Sequence, residues 1–124
     1  MPAITFEEFQ RYVAEAIESL PAEIKKMMEN VAVTVALYPT EDQKRSVGLG
    51  PGRSLYGLYQ GVPLTRRTSH YGMVPPDRIT IFMYPMVNHF PTPEGIRRQV
   101  RKTVLHEIGH HFGMSEDRLR ALGY

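Results

Sequence analysis

Leu105–Asp117, LHEIGHHFGMSED, packs three of the chain's five histidines and three of its thirteen acidic residues into thirteen positions. Such a stretch is either a polar helix end that happens to be rich in histidine, or a metal site with a base beside it. His106 and His110 stand four residues apart, so on a helix they project about 40° from each other and one turn apart. Two imidazoles so placed can both reach one ion at about 2.0–2.1 Å. Glu107 projects about 100° further round the same helix. It can flank the ion without ligating it and take a proton from a water there. His-Glu-x-x-His on a helix is a zinc-hydrolase signature for these mechanical reasons. The pattern keeps one position open for water, so a third protein ligand has to come from elsewhere.

Reading on from His106, glycine follows at Gly113 and a carboxylate at Glu116, seven and ten residues later. A glycine turn directly after the second histidine lets the chain fold back. Glu116 sits where a returning third ligand is expected, and Asp117 is one step beyond. His111 projects about 100° away from His110 and reads as a packed or hydrogen-bonded histidine. The competing explanation, solvated histidines complementing a helix C-terminus, remains open for any such cluster. It fits less well here because His106 and His110 share their face with uncharged Gln99 and Thr103.

Working outward, Ile96, Val100, Val104, Ile108 and Phe112 repeat at four-residue steps, which predicts one helix from Pro93 to Phe112. Thr92 supplies an N-cap, Pro93 suits the first helical position, and Glu94 complements the positive helix end. Gly113 can adopt the left-handed conformation that ends a helix. Ser115 then caps a short final helix with Leu119 and Leu122. At the other end, Thr5 and Glu8 form a capping box. Phe6, Phe9, Val13, Ala16, Ile17 and Leu20 give that helix, Thr5–Ser19, one apolar stripe. A shorter helix after Pro21 should turn Ile24, Met27 and Met28 inward. VAVTVALYP from Val31 reads as a strand ended by Pro39, and PDRITIFMYP as a second, Arg78–Tyr84, stopped by Pro85. Between them lies a Gly-, Pro- and charge-rich segment, too long for a simple connection, with one short strand expected near Leu55–Tyr59. GLGPG within it lacks the Gly-Lys-Ser/Thr ending of a phosphate loop. Helices, a few strands and helices again define an α+β chain, and with no linker or repeat in sight we read residues 1–124 as a single domain.

The bulk composition limits the partners. Hydrophobic residues make up 42% and charged residues 23%, ordinary for a globular protein. No apolar run approaches the ~18 residues of a membrane span, and MPAITFEEFQ lacks the pattern of a secretion signal. There are no cysteines, which removes thiolate metal sites and fits a reducing compartment. We therefore expect a cytoplasmic protein without a membrane partner. The net charge of +2 is unevenly spread: residues 1–30 carry −3 and the remainder +5. The densest basic run, RRQVRK from Arg97 to Lys102, has no interleaved aromatics for base stacking. It reads as a solvated helix face, so no nucleic-acid partner is expected.

YGLYQGVPLTRR (Tyr56–Arg67), PDRITIF (Pro76–Phe82) and VRKTVLHEIGHHFGMSEDRL (Val100–Leu119) together resemble the small bacterial zincin-like metallopeptidase family, over most of the chain. The resemblance implies a minimal zincin-like fold: N-terminal helices, a small mixed sheet, a long active-site helix and a short C-terminal helix. It further implies one zinc ion per chain, bound by two histidines and an acidic residue, and a peptide or protein substrate. Family members usually carry aspartate ten residues after the first histidine, where this chain has Glu116. Spacing favours Glu116 as the third ligand, and Asp117 is the alternative if the turn is one residue wider. The implied reaction is hydrolysis of a peptide bond, with Glu107 as general base. An oxyanion donor is not singled out by sequence, with His70, Tyr71, Tyr84 and His89 all of suitable type. The Arg78–Tyr84 strand offers an edge to an extended substrate by analogy of fold alone.

Two other readings compete. A zinc-binding regulatory or interaction protein without peptidase activity would suit a chain this short, with little left over to build a cleft. A metal-dependent nuclease would need the basic helix face to hold phosphates. Peptide deformylases require a cysteine ligand, and the RNA-maturation metalloproteins a third histidine, which does not follow His111.

Overall fold

The computed structural model describes residues 4–29, 31–48, 55–61, 77–113 and 115–121, and within its helices the side chains of residues 110, 111, 116 and 119 fall outside the description. Chain order is α1 (Phe6–Glu18), α2 (Ala22–Met27), β1 (Val31–Ala36), α3 (Glu41–Ser46), β2 (Gly57–Gly61), β3 (Asp77–Phe82), α4 (Met83–His89), α5 (Pro93–Phe112) and α6 (Glu116–Ala121). The strands form a mixed sheet in the order β1-β3-β2, with β1 parallel and β2 antiparallel to β3. This is the α+β architecture expected, with N-terminal helices, a small mixed sheet, a long helix and a short C-terminal helix.

Central β3 is buried on both faces, with Ile79, Ile81 and Phe82 at or below 1% exposure. Its one buried hydroxyl, Thr80, meets the Thr34 hydroxyl of β1 at 3.3 Å, as a polar group inside a sheet must. α5 packs its stripe of Ile96, Val100, Val104 and Ile108 into the core, joined by Leu105. Against it lies α1, whose Phe9, Val13 and Ala16 are buried. Burying aliphatic or aromatic side chains of this size stabilises by about 1.5–3 kcal/mol each. The basic run of α5 faces out over α1: Arg97 pairs with Glu15 at 2.7 Å and sits over the Tyr12 ring. That hydrogen bond holds the Arg97 guanidinium above its ordinary pKa.

Several expectations are revised. Met27 is 40% exposed and only Ile24 and Met28 turn inward in that region, because α2 is too short to repeat its face. The first strand stops at Ala36, and Tyr38 beyond it stacks on Tyr84 at 4.9 Å. β3 ends at Phe82, where the chain turns directly into α4. Pro85 falls within the first turn of that helix, where its missing N–H costs nothing. α3 was not expected. Its Thr40 hydroxyl accepts from the Gln43 N–H at 3.0 Å and the Gln43 side chain accepts from the Thr40 N–H, a capping box visible in TEDQ. The idea that Arg78–Tyr84 offers a free edge also fails, since β3 is paired on both sides. Among the described residues β2 lies at the edge of the sheet, against α5.

Candidate active site

α5 runs over the twenty residues Pro93–Phe112, capped by the Thr92 hydroxyl, which accepts from the Gly95 N–H at 3.1 Å. Gly113 ends it in the left-handed region, at φ 63° and ψ 32°. The helix backbone therefore carries residues 106 and 110 one turn apart. The chain reverses at Gly113 and enters α6 with Ser115 as cap, its hydroxyl accepting from the Arg118 N–H at 3.1 Å. Glu116 and Asp117 fall in the first turn of α6.

β2 crosses close to this helix. A Cβ on Gly57 would lie 2.7 Å from Thr103 Cγ2 and 3.4 Å from Glu107 Cγ. Only a residue without a side chain allows that approach. Between the two elements opens a cavity of about 760 Å³. Its walls are the α5 residues Gln99, Lys102, Thr103, His106 and Glu107 and the β2 end from Leu55 to Leu58, with Val47 and Arg120 completing the lining. The volume is that of a ligand pocket. His106 is half-buried, and Glu107 is 8% exposed. Gln99 donates to the Thr103 hydroxyl at 3.1 Å, so these two polar side chains on the same helix face partner each other.

Of the residues singled out from sequence, His106 and Glu107 line this cavity. The side chains of His110, His111 and Glu116 lie outside the described residues, and His70 and Tyr71 lie outside them entirely. Asp117 points to solvent and pairs with Arg120 at 3.4 Å, its side chain 94% exposed. Tyr84 stacks on Tyr38, and neither Tyr84 nor His89 is part of the lining. Tyr56 is, and its hydroxyl lies 2.5 Å from Nδ1 of His89. Tyr56 also packs edge-on against the His89 ring and tilted against Phe90. Burial pushes the Tyr56 phenol above its ordinary pKa, so it stays protonated. Sequence reasoning passed over Tyr56 because a tyrosine entering a strand is usually a packing residue. The signal that finds it is contact with a histidine 33 positions away.

Among the described residues no three histidine or acidic side chains gather as a metal cluster. Whether a dication fits is tested by the chemistry of the donor set. His106 brings an imidazole to the cavity wall beside the Glu107 carboxylate, and the α5 backbone sets residue 110 one turn further on. Imidazole nitrogen and carboxylate oxygen are donor types that suit zinc.

Comparison with known proteins shows the family. The model of the zincin-like metallopeptidase family matches residues 28–124, and the chain belongs to that family. Among solved structures it is similar to a conserved hypothetical protein from Thermus thermophilus, at 20% identity and a TM-score of 0.61, over 88% of this chain and 94% of that one. That likeness is one of fold. No curated protein matches at a significant level. No described helix is long and apolar enough to cross a membrane.

Proposed function

We propose that the protein is a zinc-dependent peptidase, in which His106, His110 and Glu116 hold one zinc ion per chain and Glu107 is the general base. The observation that carries this reading is that His106 and Glu107, neighbours on α5, line one cavity. Asp117, turned to solvent and engaged with Arg120, supports Glu116 as the third ligand. Zinc, when bound, would lower the pKa of a coordinated water and polarise the scissile carbonyl. The Glu107 carboxylate accepts the proton of the attacking water as its oxygen bonds to the carbonyl carbon. The same carboxyl then returns that proton to the departing amine as the C–N bond breaks. Tyr56 is suited to donate a hydrogen bond to the carbonyl oxygen as negative charge develops there. With His89 protonated at Nδ1, the imidazole N–H donates to the phenol oxygen, and the phenol proton is left for the cavity.

A cavity of this volume supports hydrolysis over a purely regulatory zinc-binding role, for which the short chain was the motive. The test is zinc content together with turnover. Purified protein should hold about one zinc per chain and cleave members of a broad peptide library. Glu107→Gln should keep the metal and lose turnover by about 10²-fold or more. Full metal occupancy with no cleavage by the native protein would leave the regulatory reading instead.

A further inference from the structure

We propose that the cavity selects peptides with an acidic side chain close to the bond to be cut, received by Lys102 with Arg120 beside it. This rests on the hydrolase reading above and names its substrate class. Among the described residues the charged lining consists of Glu107, Lys102 and Arg120. Glu107 has its task at the reacting carbonyl, so the charge left to face a substrate is positive.

Lys102 stands four residues before His106 on α5, about 6 Å along the helix axis. An extended peptide advances about 3.3 Å per residue. A side chain one or two residues from a carbonyl held at His106 and Glu107 therefore comes level with the ammonium group. Lys102 has no ion-pair partner among the described residues. Arg97, at the other end of the same basic run, is neutralised by Glu15 at 2.7 Å. Among the described residues Arg120 is engaged by Asp117, at 3.4 Å within one helix and largely in solvent. Such a pair is weak enough to be shared with a ligand. A carboxylate bound between two cations in a partly enclosed cavity gains more than it would at the open surface. The remaining lining, Val47, Leu55 and Leu58, is aliphatic, so the flanking substrate positions can be apolar.

The test separates recognition from turnover by using zinc-loaded full-length Glu107→Gln protein. Its probes are fluorescein-labelled dodecapeptides of Ala, Ser and Leu with a single central Glu, Gln or Lys. The uniform background lets the chain slide until the central residue finds its site. The Glu peptide should bind about tenfold more tightly than the Gln peptide, and the Lys peptide more weakly than both. Adding Lys102→Met should bring the Glu/Gln ratio close to one, and Lys102→Glu should reverse the Glu/Lys order. Because Lys102 is exposed, zinc content and melting temperature report that these variants are folded. Equal binding of the three peptides, or a preference unaltered by Lys102→Glu, overturns the proposal. So does tighter binding of a single-stranded oligonucleotide than of the Glu peptide, which would make the two cations a phosphate site. Cleavage by the native protein without acidic preference overturns the selectivity and leaves hydrolysis standing. Selective binding without any cleavage upholds the selectivity and overturns hydrolysis.

Discussion

Gly57 marks the closest approach of β2 to α5, and the 2.7 Å separation between its would-be Cβ and Thr103 Cγ2 has a measurable consequence. Gly57→Ala should destabilise the protein by about 1–3 kcal/mol through overpacking, read from the midpoint of chemical denaturation. Thr103→Ser removes the opposing methyl, so the double variant should recover part of that loss. Additive losses would show that the contact is not the cause. Tyr56 is the second residue whose role depends on a neighbour far along the chain. Tyr56→Phe should lower kcat by about 10²-fold while KM and zinc content change little, the pattern of a group acting on the transition state. An unchanged kcat would remove Tyr56 from the chemistry and leave it as packing for His89.

At the scale of elements, helix ends are where local chemistry speaks plainly. Thr5, Thr92, Gly113 and Ser115 all do what their residue types dictate, because capping needs only atoms within three or four positions. α3 obeys the same rule through Thr40 and Gln43. It stayed hidden because its surroundings are rich in Gly, Pro and charge and it buries no residue. Glu8 in the α1 box has its carboxyl held below the ordinary value, chiefly by the backbone N–H of Thr5. A lowered folded-state pKa means stability present above the unfolded value and lost as the pH falls through the folded one. Native protein should therefore lose stability relative to Glu8→Gln on acidification below about pH 4.5, and parallel pH profiles would show that the box contributes nothing. The boundary at Phe82 was not legible in the same way. MYP continues an apolar run, and only the packing of Met83 and Met86 into the core decides for helix over strand.

For the whole molecule, a ligand that binds only the folded state stabilises it by mass action. With free zinc at a hundredfold excess over Kd the gain is about 2.7 kcal/mol. Chelation should accordingly lower the melting temperature of the native protein and leave His106→Ala at its own lower value. Identical melting with and without chelator would sink the zinc assignment. The spacing within residues 105–117 sets positions 106 and 110 one turn apart on α5, since the 3.6-residue period of a helix turns sequence separation into direction. The apolar stripe of α5, its caps and the motif on its flank were thus determined by the sequence. Position across the sheet was not. Strand order β1-β3-β2 buries β3, leaves β2 beside the helix and opens the cavity between them. Tyr56 meets His89, Gly57 meets Thr103, and Lys102 and Arg120 line one cavity, across separations in sequence for which no local period exists. Those contacts come from the packing of elements on one another, and only the tertiary structure decided them.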